Sequence, residues 1–228
     1  MKTKFGAIIV DGRGKIGGHV ASKNRAGSYL RTKVTPVNLQ SVAQTGVRNV
    51  FTGFAQGWRG LTEDQRAAWN AATSDYGRTD VFGDLKIPTG FNLYQRLNNN
   101  LQQIGVAALT LPPLPQSVEV VAIGALSIAE VAATMSLAYT PSPGTNTKVK
   151  VWATAPMSAG KSFVKGSYRL ISTFTGETAS PLNLAAAYID KFGSIGVAGQ
   201  KVFVQLQAVN ETTGQTGVPE TAYAIVAA

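Results

Sequence analysis

The chain has 228 residues and carries 21 Lys and Arg against 12 Asp and Glu, which gives a net charge of +9. Apolar residues make up 44% of the sequence and charged residues 14%, a composition typical of folded globular proteins. The absence of cysteine excludes disulfide bonds and cysteine-ligated metals. No run of about 18 apolar residues is present, so a membrane-spanning helix is excluded, and the apolar run after Lys4 is too short to predict a secretion signal.

The positive charge lies in the first half of the chain. Residues 1–110 contain 14 basic and 6 acidic residues, whereas residues 111–228 contain 7 and 6. Within residues 1–59, ten basic residues accompany a single acid, Asp11. We expect this region to attract a polyanion, either nucleic acid or an acidic protein surface. A surface that only keeps the protein soluble is the plain alternative.

Alternating residues around glycine turns predict a small basic β-ribbon at the start of the chain. Residues 5–10 form a strand-like stretch that ends in a glycine turn, and residues 19–23 and 28–34 flank a second turn. In the last of these stretches, Tyr29 and Arg31 share one face.

From about Ser41 the apolar period becomes helical. The apolar residues that are expected to bury one face of this first helix are Val47, Val50, Phe51, Phe54 and Trp58. A capping box at residues 62–65 opens a second predicted helix over 63–74, which carries Trp69 inward. A third helix is predicted over 90–104, capped by Gly105, with Asn98 and its two neighbours solvated.

The proline-rich segment 111–117 predicts a stiff linker and therefore a domain boundary. Six short strands are predicted beyond it, over 118–123, 132–139, 148–155, 168–175, 201–209 and 221–226. One helix interrupts them, with Ser180 as N-cap and Pro181 at its first position, and runs to about Phe192. This strand spacing is typical of a β-sandwich like that of immunoglobulin or fibronectin type III domains.

The predicted fold class is therefore α+β and multidomain. A basic ribbon and helical anchoring domain occupies residues 1–110, the linker 111–117, and an immunoglobulin-like β-sandwich with one inserted helix 118–228.

Two glycine-rich stretches resemble nucleotide-binding motifs but lack the required context. Residues 12–17 have the dinucleotide fingerprint spacing, but no helix pattern opens at the last glycine, and the first acid after Asp11 is Glu63. Residues 155–162 approach a phosphate-binding loop, but β-like residues follow where a helix is needed. Both stretches are interpreted as turns between strands.

His19 is the only histidine, so any catalytic triad or histidine-ligated metal would have to include it. It lies in the glycine-rich ribbon, where only Asp11 is nearby in sequence, and we interpret it as a surface residue. We expect no catalytic residue, no metal, no cofactor and no enzymatic activity.

Two stretches in the first half of the chain carry a family resemblance. They are residues 27–41 with Gln44 and 47–49, and residues 58–62 with 65–69. The first resembles the opening of a loosely defined group of phage-encoded virion proteins, in which a basic ribbon ends in a proline-asparagine turn and runs into a helix. The second resembles the two-tryptophan helical segment of the same group. That group often has a proline where this chain has Leu39, which indicates a looser turn here.

The resemblance covers about residues 10–105 and implies a structural protein of the phage virion, made in the cytoplasm of the host bacterium. It implies partners among the other virion proteins, namely capsid, portal or tail subunits, and it brings no catalytic or ligand residues. A basic region joined to a near-neutral sandwich also suits a protein that docks on an assembly and displays a domain. The roles left open are an accessory capsid or decoration protein, a head fibre and a head-to-tail connector component.

The predicted partner-docking residues are six basic residues of the ribbon and two tryptophans: Arg13, Lys15, Lys23, Arg25, Arg31, Lys33, Trp58 and Trp69. A homo-oligomer and non-specific contact with packaged nucleic acid also stay open, whereas no membrane contact is expected. One alternative function is a nucleic-acid-binding protein that places these cations on phosphates and stacks Tyr29 on a base. Another is an adhesion module built on the sandwich.

Overall fold

The computed structural model describes residues 1–6, 11–140, 144–175 and 178–228. Contacts divide the chain into two compact units: unit 1 comprises Met1–Asn49 and Gly77–Ile87, and unit 2 comprises Val50–Tyr76 and Pro88–Ala228. Within the described ranges the fold is mixed α+β, with four α-helices and several antiparallel sheets. No helix in these ranges has the length and apolar character needed to cross a membrane.

Unit 1 contains a three-stranded antiparallel sheet of β1 (Gly14–Ile16), β2 (His19–Asn24) and β3 (Gly27–Thr32), with β2 in the middle. The strand pair predicted on either side of the second turn is therefore confirmed. Residues 12–17 supply a strand and a hairpin turn, in which Gly17 has a φ of 56° that favours glycine. The strand predicted over 5–10 lies largely outside the described residues. A short hairpin of β4 (Arg78–Thr79) and β5 (Leu85–Lys86) completes the unit.

The described part of unit 1 has almost no apolar core, because Ala21 is its one buried apolar side chain. Ion pairs connect the N-terminal residues to the β4–β5 hairpin instead. Lys2 Nζ lies 3.3 Å from Asp80 Oδ2, and Lys4 Nζ lies 3.0 Å from Asp84 Oδ1.

Asp80 organises the turn of this hairpin. Its Oδ1 accepts hydrogen bonds from the backbone N–H groups of Phe82, at 2.8 Å, and Asp84, at 3.2 Å. The Phe82 hydrogen bond is the main cause that holds the pKa of the Asp80 carboxyl below its usual value. The carboxylate is therefore the form that stabilises the turn.

Helix α1 (Val42–Gly60) begins where the sequence predicts a helix, but it has no buried residue. Val47 and Phe51 are 71% and 58% exposed. The expectation that the whole apolar stripe is buried was wrong for this first half. Further along the helix, Phe54 and Trp58 are half-buried against Tyr94, with ring centroids 6.3 and 5.5 Å apart.

Helices α2 (Glu63–Ala71) and α3 (Gly90–Gln103) form the helical part of unit 2, together with a 3-10 turn over Ala72–Tyr76. The predicted capping box is confirmed: the Thr62 hydroxyl accepts from Gln65 N, and the Gln65 side chain accepts from Thr62 N. These two hydrogen bonds satisfy the backbone N–H groups of Thr62 and Gln65, which have no acceptor within the helix.

The core of this helical part contains Trp69, which is fully buried. Its neighbours in the core are Leu61, Tyr76, Leu93, Tyr94 and Leu97. Trp69 Nε1 also donates a hydrogen bond to the Thr110 carbonyl oxygen at 2.9 Å. The indole therefore contributes both apolar area and a satisfied polar group.

The second half of unit 2 has a β-sandwich-like architecture of seven strands. Their bounds are β6 (Ala122–Ala129), β7 (Thr134–Thr140), β8 (Thr147–Ala153), β9 (Arg169–Thr175), β10 (Leu182–Asn183), β11 (Lys201–Asn210) and β12 (Glu220–Ile225). One sheet has the order β10-β7-β6 and the other β12-β11-β8-β9, with every neighbouring pair antiparallel. Alternate residues such as Leu137, Val151 and Val204 from the two sheets form the common core.

Two predicted elements in this region have wrong boundaries. The first strand runs over Ala122–Ala129 instead of residues 118–123. Helix α4 (Ala185–Phe192) begins five residues after the predicted N-cap Ser180. The intervening residues Leu182 and Asn183 pair with β7 as β10, because these backbone hydrogen bonds compete with helix formation.

Helix α3 packs on the sheet with the order β12-β11-β8-β9. The helices and the strands therefore belong to the same unit, unit 2. Leu101 and Ile104 form a small core with Val209 of β11. Gly214 follows β11 with a φ of 68°, and a Cβ there would lie 2.4 Å from the Leu97 carbonyl oxygen. Only glycine permits this close approach of turn and helix.

The division by contacts thus differs from the predicted one, which separates residues 1–110 from 118–228. Residues between them are also anchored: the Asn98 amide bonds to both the N–H and the carbonyl of Leu109, and Tyr76 Oη donates to the Pro113 carbonyl at 2.7 Å. Asn98 is fully buried, so the expectation that it is solvated was wrong. Independent folding of residues 118–228 stays a prediction.

Candidate functional site

All six basic residues predicted to dock a partner lie in unit 1, on or next to the ribbon, and all six are exposed: Arg13, Lys15, Lys23, Arg25, Arg31 and Lys33. The sheet register shows which of them share a face. Lys15 is opposite Val20, and Val20 is opposite Arg31, so these three side chains point to the same side. Since adjacent strands lie about 4.8 Å apart, the backbone positions of Lys15 and Arg31 are separated by about 10 Å across the ribbon.

Tyr29 lies on the same face as this cationic pair. It is two residues before Arg31 on β3 and pairs with Ser22 on β2. Its ring is half-exposed. This face therefore carries the cations of Lys15 and Arg31 and the phenol ring of Tyr29, all three on regular strands.

Some of the ribbon's cations are already ion-paired and others are not. Asp11 Oδ2 lies 3.3 Å from Arg13 Nε and 3.7 Å from Lys23 Nζ. The remaining cations of the predicted set make no ion pair with a described residue; they are Lys15, Arg25, Arg31 and Lys33. These four are the charges that an anionic partner can neutralise.

The charge of the chain is concentrated in unit 1. Its two segments contain eleven Lys and Arg against three acids, a balance of +8, whereas unit 2 has a balance of +1. All three acids of unit 1, Asp11, Asp80 and Asp84, are engaged with lysine or arginine in ion pairs. An excess of this size in a unit of 60 residues creates a strong positive field.

Ile16, Leu30 and Thr32 lie on the opposite face of the ribbon. They line a shallow open groove together with Met1, His19 and Arg31. No described group of three or more His, Asp or Glu side chains is arranged to hold a metal ion. Among the described residues that line the groove, none is an Asp or Glu. They therefore place no carboxylate beside His19 of the kind that orients the histidine of a catalytic triad.

The two predicted docking tryptophans are used inside unit 2. Trp69 has no exposed surface, so it cannot contact a partner while the unit is folded, and its inclusion among the docking residues was wrong. Trp58 is half-buried and its ring contacts Phe91, with centroids 5.8 Å apart. Both side chains primarily stabilise the chain's own helices.

Lys150 was missed by sequence reasoning. It lies on the outer side of β8, where an alternating strand is expected to be solvated, but α3 covers it and leaves it 2% exposed. Its Nζ donates to Gln103 Oε1 at 3.0 Å and approaches Asn100 Oδ1 at 3.5 Å. Burial lowers the pKa of the Lys150 ammonium to about 8.

No protein-family model matches the chain, and no curated protein or solved structure matches it either. The function is therefore argued from the physical character of the two units and of the ribbon.

Proposed function

We propose that the chain is a non-enzymatic structural protein of a bacteriophage virion, which docks on other virion subunits through the basic ribbon of unit 1. The observation that carries this proposal is the segregation of charge. Unit 1, whose described residues form almost no apolar core, holds a balance of +8, next in sequence to a well-packed unit with a balance of +1.

The ribbon has the properties of a docking element. Its four unpaired cations stand on antiparallel strands or directly beside them, so little conformational entropy is lost when they meet an acidic surface. Arginine side chains in particular form bidentate contacts with carboxylates and often dominate interfaces. A single exposed ion pair adds little, so the effect depends on the cluster.

We further propose that residues 118–228 are an immunoglobulin-like domain of the fibronectin type III kind. The seven strands divide into sheets of three and four, and the chain crosses between the sheets after β7, β9 and β10. The helix α4 is the insertion between β10 and β11. Such a domain suits display on a particle, as an accessory capsid protein, a head fibre or part of a head-to-tail connector.

Incorporation into particles tests the docking role. We expect the combined substitution of Lys15, Arg25, Arg31 and Lys33 by glutamate to abolish incorporation, because it reverses every unpaired charge of the predicted docking set. The matched control replaces four exposed cations of unit 2 that form no ion pair with a described residue, Lys161, Lys165, Arg169 and Lys191, by glutamate. Quantitative mass spectrometry of purified particles measures the copy number, and circular dichroism checks folding. Full incorporation of the ribbon variant would show that docking lies elsewhere.

Nucleic-acid binding is the second candidate, because Tyr29 lies on the same face as Lys15 and Arg31. Contacts of the four unpaired cations with phosphates predict that the logarithm of DNA affinity falls against the logarithm of salt concentration with a slope of about −3.6. A salt titration of the purified protein with duplex DNA measures this slope. A steep slope that the ribbon variant abolishes, together with normal incorporation of that variant, would favour this candidate.

A further inference from the structure

A continuous segment of unit 1 is exposed along its whole length. Every residue from 31 to 49 is exposed, and we call residues 33–49 the arm. The arm consists of an extended stretch followed by the first two turns of α1. Its large apolar side chains, all more than 60% exposed, are Val34, Val37, Leu39, Val42 and Val47.

Local hydrogen bonds shape the arm, although nothing in the described chain covers it. Arg48 Nη2 donates to Asn38 Oδ1 at 2.9 Å, which connects the extended stretch to the helix. The Ser41 hydroxyl accepts from Gln44 N at 3.3 Å and caps the helix start. These two hydrogen bonds order the arm locally while its apolar side chains face water.

The helical part of the arm has little intrinsic stability. It contains Gly46 and the β-branched Val42, Thr45 and Val47, and its first turn has no acid to compensate the helix dipole. Most helical stability in proteins comes from tertiary packing of an apolar face. The described chain supplies no such packing for these two turns, so we expect a partner to supply it.

The positive charge of the arm and of the rest of unit 1 favours a partner with an acidic surface. The arm carries Lys33 and Arg48, and no acid occurs between Asp11 and Glu63. A second copy of the chain brings a unit with the same balance of +8, so like charges oppose pairing of two arms. An acidic protein surface is favoured by the same field.

Two other occupants fit the arm less well. Nucleic acid presents phosphates, which are recognised by cations and leave five aliphatic side chains without a partner. A lipid surface needs large aromatic or leucine side chains on the free face of a helix. The aromatic side chains of α1 are Phe51, Phe54 and Trp58, and the last two pack against Tyr94 within unit 2, which leaves Phe51 as the single exposed ring of the helix.

From these observations we infer that the arm is a second element of the docking surface, and that a virion subunit of a different kind covers it with an apolar groove bordered by acidic residues. The ribbon attracts this subunit through charge, and the arm adds apolar contact next to it in sequence. The inference rests on the proposed function, because it needs another virion protein as the partner.

Substitution of apolar arm residues by glutamine tests the inference without weakening the helix, since glutamine is a good helix former. We expect Leu39→Gln, Val42→Gln and Val47→Gln together to lower the copy number in purified particles about tenfold or more. The matched control is Leu114→Gln, Val131→Gln and Val218→Gln in unit 2, where the exposed fractions of 79%, 87% and 68% are close to the 75%, 92% and 71% of the arm residues. The control is expected to be incorporated normally.

The outcomes separate the inference from the proposed function. If the ribbon charge-reversal variant is lost from particles while the arm variant is incorporated like its control, the arm inference is overturned and the proposed function stands. If the wild-type chain is never found in particles, both are overturned.

A photo-crosslinking amino acid at position 42 identifies the occupant in assembled particles. A crosslink to another virion protein, at a site with apolar and acidic residues, supports the inference. Crosslinks to a second copy of this chain or to nucleic acid overturn it, and so does the absence of any crosslink in particles that contain the chain.

Discussion

The two units of this chain are stabilised in different ways. Unit 2 buries apolar side chains from helices and from both sheets, including Trp69, Leu137 and Val204. The described part of unit 1 buries Ala21 alone and is held by strand pairing and by the ion pairs of its three acids. Surface ion pairs contribute little to stability, whereas apolar burial contributes about 25 cal/mol per Å². We therefore expect apolar burial to stabilise unit 2 far more than it stabilises the described part of unit 1.

The two units also differ in where their apolar residues lie. In unit 2 they form a continuous core, but in the arm they face water beside uncompensated positive charge. Exposed apolar side chains that cluster in this way mark interaction sites more often than single exposed ones do. The first half of α1 belongs to this second category even though its sequence pattern is that of a core helix.

Limited proteolysis gives the largest expected contrast between the regions. We expect proteinase K at low concentration to cut first in the extended part of the arm, residues 33–41, which is exposed throughout. Residues 106–117 should resist for at least about ten times longer, since Asn98, Trp69 and Tyr76 bind the backbone of this segment. Mass spectrometry of early fragments locates the first cut. A first cut within 106–117 would instead support the predicted linker.

Substitution of Trp69 by alanine should cause the largest change in stability. The loss of a fully buried indole and of its hydrogen bond to the Thr110 carbonyl is expected to lower the free energy of unfolding of unit 2 by about 3 to 5 kcal/mol. Urea unfolding followed by circular dichroism measures this change. The same truncation at Val42, which is 92% exposed, serves as the control and should stay within about 0.5 kcal/mol. Equal effects at the two positions would remove the distinction between the units.

The smallest expected effect concerns Lys150 and pH. Its pKa is about 8 in the folded protein, below the ordinary lysine value, so the unfolded state binds more protons above pH 8. The free energy of unfolding should therefore rise with pH from about 8 to 10, with a total contribution below about 3 kcal/mol. Below pH 8 the full cost of the buried charge is present.

Lys150→Met isolates this contribution to the pH dependence. Tyrosines such as Tyr188, whose pKa is raised by burial, act in the opposite direction near pH 10, so the difference between the two proteins is the informative quantity. We expect the wild-type stability to rise relative to the variant over this pH range. Parallel pH profiles would show that the ammonium is better solvated than its burial indicates.

Features that depend on neighbouring residues were predictable from the sequence. The capping box at Thr62 and Gln65 and the turn at Gly27 need only a few adjacent residues, so their patterns were sufficient. The inward direction of Trp69 followed from helical periodicity.

Features that depend on distant partners were not predictable. Lys150 looks like a solvated strand residue until α3, some fifty residues earlier, is seen to cover it. Asn98 looks like a surface amide because its partner, the Leu109 backbone, lies beyond the end of the helix. The apolar stripe on α1 predicted one buried face. It could not show that the chain itself partly buries Phe54 and Trp58 but leaves Val47 and Phe51 exposed.

The contact between Gly214 and α3 has a consequence for synthesis on the ribosome. The helix ends at Gln103, whereas Val209 and Gly214, which cover its apolar end, are translated more than 100 residues later. At elongation rates of about 5 to 20 residues per second this interval lasts roughly 5 to 20 seconds. During that time Leu101 and Ile104 lack their sheet, and the nascent chain exposes two apolar side chains that the finished protein buries.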